Sequence, residues 1–421
     1  MSADEGTAVG VFCSRWVEAP AHVRELGGDA GLPAGFRAAG AAAGLKPSGH
    51  PDVGLLVCDA EQPVSAAVFT SSSTAAAPVL VTRDRCDLRS LRAVLANSGC
   101  ANAATGSRGL DDAAKTQGAA AVAAGVAESE VALASTGAIS HYLDVDAVLK
   151  GILQARSQLR REGDVEFQQA IQTTDRFEKR ANLEVELTTG SVRLCAQCKG
   201  AGMISPRFAT MLCFVQTDAA LAPETAELLL GTCVARSFDR VSVDGQLSTN
   251  DTVILMASGA SGVEVAAGGE DELRLGEALD ALLRALAVML VSDGEGSLRV
   301  GRVVVRGGEL DRAESVARAV ANSPLVKAAL HGGDPNWGRI VQSAGGALPG
   351  PDPLAIDVWI EGRQVCSGGV ALDYEESELA QAVSREEVEY EIALAGEGAL
   401  TEVFFSDLSA DYVALNAHYT T

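Results

Sequence analysis

A segment near the middle of the chain holds the residue types with which a protein can cut its own backbone. Residues 199–210 read KGAGMISPRFAT, and the apolar run 211–215 follows them. The glycines permit backbone conformations that other residues avoid, and Pro206 disfavours helix at the residue before it. We therefore predict an irregular loop that leads into a buried strand, with Thr210 at the junction. The Thr210 hydroxyl would attack the Ala209 carbonyl, and hydrolysis of the resulting ester would leave Thr210 as a new N-terminus. From these residues alone, an ordinary threonine at a loop–strand junction is the simpler interpretation.

Acyl-transfer chemistry also needs a base, and the histidines do not supply one. None of the five histidines lies in a recognisable catalytic motif or at metal-ligand spacing from another; they are His22, His50, His141, His331 and His418. A free α-amine titrates near ~7.7–8.0 and can act as a base at neutral pH. The sequence therefore predicts no metal site, and it favours an N-terminal amine as the base.

An ester intermediate further requires hydrogen-bond donors for a developing oxyanion. A threonine hydroxyl and a backbone N–H in a glycine turn at a strand end would serve, and Thr136-Gly137 has that form. By themselves these two residues read as an ordinary turn. Lys199, Glu295 and Asn416 likewise read as surface polar residues.

The composition limits the class of protein. The chain has 421 residues, of which 47% are hydrophobic and only 4% aromatic, and this composition suits a well-buried α/β protein. A net charge of -23 argues against nucleic acid or an anionic membrane as a partner. The N-terminus lacks a signal-peptide pattern, no apolar run approaches a membrane span, and the cysteines fall in apolar runs, so we expect a cytoplasmic protein. Cys195-x-x-Cys198 is a weak indication of a redox or metal site.

Strands and helices are predicted along the whole chain, with hairpins as well as crossovers. The predicted strands are 53–57, 65–70, 78–82, 93–97, 131–135, 183–187, 191–195, 211–215, 252–257, 299–305, 354–359, 364–366 and 401–405. The predicted helices are 110–126, 145–162, 165–171, 224–236, 273–290, 312–321 and 375–382. The mixture favours a layered α+β fold over a doubly wound parallel sheet, with a candidate domain boundary at 293–296.

The central segment resembles a known self-processing motif. Residues 199–212 match the pattern K-G-[SA]-G-M-I-x-P-x-x-A-T-M-L of the ornithine acetyltransferase (glutamate N-acetyltransferase) family at nearly every position. Further segments are similar to that family: 97–103 (NSGCANA), 135–137 (STG), 173–175 (TTD), 242–245 (SVDG), 248–251 (STND), 293–296 (DGEG), 334–339 (DPNWGR) and 411–419 (DYVALNAHY). The resemblance therefore extends from about residue 35 to the end of the chain.

The resemblance implies roles for individual residues. Thr210 would be the nucleophile freed by cleavage after Ala209, and Thr136 and Gly137 would form the oxyanion hole. The positions implied to contact the amino-acid substrate are Thr173, Lys199, Thr210, Glu295, Asn416 and Thr421. Lysine and glutamate suit a substrate carboxylate and ammonium group, respectively.

The resemblance also implies an architecture. We expect an αββα-type sandwich of the ornithine acetyltransferase and aminopeptidase superfamily, with a smaller C-terminal α/β domain. The fragments would be 1–209 and 210–421, intertwined and assembled as α2β2 or larger, and the spatial domains would be about 1–295 and 296–421. No cofactor is implied, although acetyl-CoA is a co-substrate of bifunctional members.

The chain departs from the family pattern in three places. Residues 69–73 read FTSSS where Thr-Arg-Asn usually follows a strand-ending Phe, and 175–179 read DRFEK where Asp-Thr-x-Pro-Lys is more usual. Residues 138–140 read AIS where Val-Ile-Gly is commoner. None of these differences removes a catalytic group, but they leave the identity of the substrate open.

The resemblance thus implies an acyltransferase that moves the acetyl group of N2-acetylornithine to glutamate through a Thr210 ester. Three alternatives stay open. One is a paralogue of specialised metabolism with another acyl donor or acceptor, and another is an N-terminal-nucleophile amidohydrolase or aminopeptidase. The third is a non-catalytic binding or assembly subunit, against which the joint presence of Thr210, Lys199 and Glu295 speaks.

Overall fold

The computed structural model describes residues 10–205, 211–351 and 353–418. Its strands are β1 (Val23–Glu25), β2 (Phe36–Ala41), β3 (Val53–Cys58), β4 (Val64–Phe69), β5 (Ala93–Cys100), β6 (Val131–Ala138), β7 (Lys179–Glu186), β8 (Ser191–Lys199), β9 (Leu212–Thr217), β10 (Val241–Ser242), β11 (Thr252–Ala257), β12 (Val300–Arg306), β13 (Ile356–Ile360), β14 (Arg363–Ser367), β15 (Val370–Ala371), β16 (Glu387–Leu394) and β17 (Leu400–Ser406). Its α-helices are α1 (Ala77–Arg85), α2 (Gly106–Ala124), α3 (Val145–Gln158), α4 (Asp164–Ile171), α5 (Pro223–Arg236), α6 (Glu270–Ser292), α7 (Leu310–Asn322), α8 (Pro324–Gly332), α9 (Trp337–Ala347), α10 (Glu376–Ala382) and α11 (Ala410–His418).

Two sheets pack face to face in the first part of the chain. One has the strand order β2-β3-β5-β6, and the other has the order β1-β7-β8-β9-β11-β4. Their facing sides share a core that includes Leu56, Phe214 and Ile254. Phe167 of α4 lies in this layer, with its ring edge on Phe214 at a centroid distance of 5.4 Å.

Helices cover the outer faces of both sheets. The outer core of the four-stranded sheet contains buried residues of α1, α2 and α3, among them Val81, Ala120 and Ile152. The outer core of the six-stranded sheet contains buried residues of α5 and α6, among them Leu230 and Leu282. Alternate residues along each strand face the two cores, as the pleat requires. The predicted αββα sandwich is therefore confirmed.

A third sheet, of seven strands, forms the C-terminal part of the structure. Its strand order is β10-β17-β12-β16-β13-β14-β15, and its own core draws on residues 303–405. β10 comes from the first part of the chain and pairs in parallel with β17, so this strand joins the two bodies. The expected boundary at 295/296 falls between the end of α6 and the start of β12.

The six-stranded sheet interleaves the two halves of the chain. β9 and β11 follow residue 210 in the sequence, and they pair in parallel with each other. β9 pairs on its other side with β8, and β11 pairs on its other side with β4, both of which precede residue 210. Strands from the second half are therefore held on both sides by strands from the first.

The predicted strand 78–82 is wrong, because these residues belong to α1. β-branched Val79, Val81 and Thr82 favoured a strand, but Pro78 stands in the first turn of the helix, where a missing N–H costs nothing. Burial of these side chains against the four-stranded sheet decides for helix. The sequence prediction also omitted β1, β2, β10, β15, β16, α8, α9 and α11.

Cys195 and Cys198 lie on opposite faces of β8. Cys195 belongs to the core between the sheets, whereas Cys198 belongs to the core under α5 and α6. The C-x-x-C spacing therefore does not bring the two thiols together on this strand. None of the helices in the described ranges is long and apolar enough to cross a membrane.

Candidate active site

A pocket of about 180 Å³ gathers most of the residues that the sequence singled out. It is lined by Thr136, Gly137, Thr173, Thr174, Lys199, Gly202, Met203, Asp244, Gln246, Glu295, Tyr412 and Asn416. Six of these residues were expected from the sequence, and they come from positions up to 280 residues apart: Thr136, Gly137, Thr173, Lys199, Glu295 and Asn416. Ala209, Thr210 and Thr421 lie outside the described residues.

The carboxyl end of β6 forms one wall of the pocket. Thr136 is buried there and is followed by Gly137, whose φ of +127° strongly favours glycine. A Cβ on Gly137 would lie 2.4 Å from the carbonyl carbon of Gly99 in the adjacent strand β5. The close approach of β5 and β6 therefore requires glycine at this position.

Lys199, the last residue of β8, forms the floor. Its side chain is fully buried, and its ammonium group donates to the Thr136 Oγ1 at 3.1 Å and to the Thr173 Oγ1 at 3.0 Å. Burial lowers the pKa of Lys199, while the nearby Asp175 carboxylate opposes that change. The described contacts use two of the three N–H donors of this lysine, so one is left to face a ligand.

A buried ionic network fixes the loop that carries Thr173. Asp175 accepts hydrogen bonds from the Thr173 N–H at 3.0 Å, the Gly200 N–H at 2.8 Å and the Lys179 Nζ at 2.7 Å. The Lys179 Nζ also pairs with Asp293, and all three ionic side chains are fully buried. Burial alone would raise the pKa of Asp175, but the cations of Lys179 and Lys199 hold it below its usual range. The network therefore ties the positions of Thr173 and Lys199 to the end of α6.

Arg176 is a residue at which the chain departs from the family pattern. Its backbone N–H donates to both Asp293 carboxylate oxygens at 3.1 Å, and its Nε donates to one of them at 3.0 Å. The side chain is about half exposed, so it adds a second, outer cation to the carboxylate that Lys179 holds from inside. The changed residue thus supports the network and leaves the pocket lining intact.

Glu295 forms the opposite wall. Its Oε1 accepts from the Thr174 hydroxyl at 2.9 Å, and its Oε2 accepts from the Asn416 Nδ2 at 2.8 Å. Its backbone N–H donates to the Ala201 carbonyl at 2.8 Å, which joins this wall to the glycine loop after β8. A Cβ on Gly202 would lie within 2.8–3.0 Å of the Glu295 carboxylate, so the loop and the carboxylate pack against each other.

Asp244 and Tyr412 also line the pocket, and sequence analysis assigned neither of them an individual role. The Asp244 carboxylate accepts from the Met203 N–H at 2.6 Å and from the Ile204 N–H at 3.0 Å. Burial raises the pKa of Asp244, and burial together with the Asp244 and Glu295 charges raises the pKa of Tyr412 to about 12. Asp244 thus anchors the loop just before residue 206. Its place in the SVDG turn was the only signal for it in the sequence.

The described chain resumes at Met211, directly beside the six-stranded sheet. The Met211 N–H donates to the Asp251 Oδ1 at 3.0 Å, and its carbonyl accepts from the Thr252 N–H at 3.1 Å. Within the described ranges, His, Cys, Asp and Glu side chains form no group of three that could hold a metal ion. The pocket therefore offers hydroxyl, amine, amide and carboxylate groups as its chemistry.

Comparisons with known proteins give consistent results. The model of the ArgJ family matches residues 37–421. The arginine biosynthesis bifunctional protein ArgJ of Rhodopirellula baltica is 42% identical over 399 residues, covering 93% of this chain and 96% of that protein. The protein of the same name from Nitratidesulfovibrio vulgaris is 42% identical over 390 residues, with 92% and 98% covered. A crystal structure of the arginine biosynthesis bifunctional protein of Bacillus halodurans aligns with a TM-score of 0.47 at 30% identity, over 49% of this chain and 98% of that chain.

Proposed function

This chain belongs to the ArgJ family and is an acyltransferase of arginine biosynthesis, and we propose that it moves an acetyl group from N2-acetylornithine to glutamate through an ester on Thr210. The observation that carries the substrate assignment is the pair of opposite charges across the pocket. Lys199 lies on one side and Glu295 on the other, and the cavity between them holds about 180 Å³. That volume suits a small amino acid and excludes a folded polypeptide.

The free hydrogen-bonding capacity of the two walls matches a charged amino acid. The unused N–H of Lys199 is directed to the substrate α-carboxylate, in a buried setting where a charge-assisted hydrogen bond is strong. Glu295 receives one donor on each carboxylate oxygen and keeps further lone pairs for the side-chain ammonium group of N2-acetylornithine. Thr174 and Asn416 fix the direction of that carboxylate.

The transfer proceeds in two balanced steps. In the first, the Thr210 hydroxyl attacks the acetyl carbonyl carbon, the carbon–nitrogen bond breaks, and the hydroxyl proton passes through the Thr210 α-amine to the departing ornithine amine. In the second, the glutamate amine attacks the ester carbonyl carbon, the bond from that carbon to the Thr210 oxygen breaks, and a proton of the attacking amine passes through the Thr210 α-amine to that oxygen. The Thr136 hydroxyl and the backbone at Gly137 stabilise the oxyanion of both steps. The hydrogen bond from Lys199 orients the Thr136 hydroxyl, because its oxygen accepts from Lys199 and its proton stays free to donate.

The α-amine arises from self-cleavage between Ala209 and Thr210, which gives fragments 1–209 and 210–421. The strand order supports lasting association of the fragments, because β9 and β11 of the second lie between β8 and β4 of the first. We further propose an α2β2 or larger assembly in the cytoplasm, with a catalytic body at about 1–295 and a C-terminal body at about 296–421. The reaction needs no cofactor, and acetyl-CoA enters only as a co-substrate.

The experiment is a transfer assay on matched variants. Wild-type protein is incubated with N2-acetylornithine and glutamate, and N-acetylglutamate is followed by mass spectrometry. A denaturing gel of the same samples should show two bands for wild type and one for Thr210→Ala, which should also lack transfer. Glu295→Gln should be cleaved but transfer with a raised KM, and the exposed Glu397→Gln should match wild type.

Three results would overturn parts of this proposal. Wild-type protein that transfers acetyl groups to no amino acid would refute the activity. Fully active protein that stays uncut at 209/210 would refute the N-terminal nucleophile. Hydrolysis of the donor that outpaces transfer at saturating glutamate would favour an amidohydrolase instead.

A further inference from the structure

Asp407 is a carboxylate outside the pocket that the transfer mechanism does not use. It follows β17, and its side chain is fully buried. Its Oδ1 accepts three hydrogen bonds from one stretch of chain: from the Ser297 Oγ at 2.7 Å, the Leu298 N–H at 3.0 Å and the Arg299 N–H at 3.3 Å. Its Oδ2 lies 2.7 Å from the Nδ1 of His331 on α8. A buried carboxylate with this many donors fixes the segments that supply them.

The stretch that Asp407 holds directly follows the Glu295 wall of the pocket. Only Gly296 stands between Glu295 and Ser297, and its φ of +69° favours glycine. The Ser297 N–H donates to the Gly294 carbonyl at 2.8 Å, which closes a tight turn around Glu295. A shift of residues 297–299 would therefore move Glu295 as well.

Asp407 also stands just before α11, the helix that brings Tyr412 and Asn416 to the pocket. All residues of α11 belong to the described range and none is buried, so apolar packing does little to hold this helix in place. The Ser409 Oγ accepts from the Tyr412 N–H at 3.2 Å, as an N-cap does. A Cβ on Gly296 would lie 2.5 Å from the Tyr412 nitrogen, so the turn after Glu295 packs directly on the start of α11.

A second buried side chain anchors the segment that carries Asp407. The Nζ of Lys327 on α8 donates to the Ser406 carbonyl, and it contacts the Ser406 Oγ at 3.2 Å. The Ser406 Oγ in turn donates to the Val243 carbonyl at 3.2 Å, next to Asp244 of the pocket. The segment is thus fixed to α8, and through Ser406 it also reaches the turn that carries Asp244.

We propose that Asp407 is a positioning residue for substrate recognition, which sets the separation of α11 from the Glu295 turn and so directs the Glu295 carboxylate at the side-chain ammonium group of N2-acetylornithine. This inference rests on the proposed function and adds the group that aligns the two walls. The Asn416 Nδ2 reaches the Glu295 Oε2 at 2.8 Å only while this separation is kept. Without the Asp407 contacts, Glu295 keeps its charge but loses its direction, and a charge-assisted hydrogen bond depends on both.

The test is the discrimination between two acetylated donors that differ only at the end of the side chain. N2-acetylornithine carries the ammonium group, whereas N2-acetylnorvaline has the same carbon chain and ends in a methyl group. The ratio of their kcat/KM values, with glutamate as the acceptor, measures what the ammonium group contributes. We expect Asp407→Ala to lower this ratio about 10-fold through a raised KM for N2-acetylornithine, with kcat/KM for N2-acetylnorvaline near its wild-type value.

Matched variants separate positioning from folding, and the melting temperature of each is measured. Asp218→Ala removes another buried carboxylate that accepts from a backbone N–H, that of Arg193 at 2.7 Å, but Asp218 does not line the pocket. It should lose stability and keep the wild-type ratio. Asp407→Asn retains a carbonyl oxygen for the three donors and should restore most of the ratio. Ser297→Ala removes only the 2.7 Å hydrogen bond and should lower the ratio about threefold in a folded protein.

A double-mutant cycle shows whether Asp407 acts through Glu295. In a Glu295→Gln background the ratio is already low, and adding Asp407→Ala should lower it by less than about twofold. A further fall of about 10-fold there would mean that Asp407 acts through another group, and it would overturn the proposal. A wild-type ratio in folded Asp407→Ala, or in Ser297→Ala if the first variant does not fold, would also overturn it. Wild-type protein that transfers no acetyl group, or a Glu295→Gln variant with the wild-type ratio, would instead refute the proposed function.

Discussion

The substitution Gly202→Ala separates the proposed substrate-binding role of Glu295 from the stability of the fold. Gly202 does not have a positive φ, so its backbone accepts alanine without strain. The new Cβ would lie 2.8–3.0 Å from the Glu295 carboxylate, against 3.4 Å for ordinary contact, so the carboxylate must retreat by about 0.4–0.6 Å. That retreat stretches its hydrogen bonds to Thr174 and Asn416, now 2.9 and 2.8 Å long.

The expected cost falls on binding. A displacement of about 1 Å at a positioning group can cost on the order of 100-fold, so we expect the KM for N2-acetylornithine to rise about 10-fold and kcat to change little. Because only the end of a flexible side chain must give way, the free energy of unfolding should change by less than about 1 kcal/mol. The assay is steady-state transfer kinetics together with denaturant unfolding and a gel for self-cleavage.

Gly231→Ala in α5 is the control, because a Cβ there meets no heavy atom within 4 Å. It should keep wild-type kinetics. An unchanged KM in Gly202→Ala would refute the assignment of Glu295 to the substrate ammonium group. A loss of several kcal/mol in the free energy of unfolding would refute the reasoning that only the Glu295 carboxylate has to move.

Three further changes test other parts of the structure. Lys179→Met leaves the buried carboxylates of Asp175 and Asp293 without their shared cation. The free energy of unfolding, measured by denaturant titration, should fall by about 3–5 kcal/mol, and a variant as stable as wild type would contradict this. Asn416→Ala removes the 2.8 Å hydrogen bond to Glu295 and should raise the KM of the acetylated donor about 3- to 10-fold, with self-cleavage intact. An unchanged KM would contradict the proposal that Asn416 positions the Glu295 carboxylate. Burial lowers the pKa of Lys327 from 10.5 to about 7, so the unfolded chain binds more protons between these values and stability should rise with pH across that window. Lys327 contributes at most about 1.4 kcal/mol per pH unit to this rise in the free energy of unfolding. Denaturant unfolding of Lys327→Met should show a smaller increase of stability with pH, and the same increase as in wild type would contradict the lowered pKa of Lys327.

Local patterns predicted most of the sandwich, and they failed where tertiary packing overrode them. The long amphipathic pattern of α6 and the strand runs of β9 and β11 were readable because each has one consistent period. α1 was misread because its β-branched residues favour a strand locally, while its burial against a sheet stabilises a helix. α8 begins at Pro324 behind a Ser323 cap, a helix-start signal that the prediction did not use.

The site was predictable only as far as the motifs reached. Lys199 and Glu295 belong to motifs of the family, and the structure places both in one pocket. The ion pair between Lys179 and Asp293 joins residues 114 positions apart, and no local pattern could have linked them. At Ser140 the structure accounts for a residue at which the chain departs from the family pattern. Its φ of +66° is a conformation that glycine adopts more readily than serine, which is a physical reason why glycine is commoner there in the family.

The continuous chain already contains the assembled pocket, and this bears on the order of events in the proposed self-cleavage. Thr136 and Lys199 come from the first half and Glu295 and Asn416 from the second, yet all four line one cavity in the continuous chain. The strands that carry the two halves are also fully paired, with β9 between β8 and β11. The proposed cleavage would therefore have no described strand left to pair. We predict that the proposed self-cleavage is the last step of folding and takes place within the finished fold.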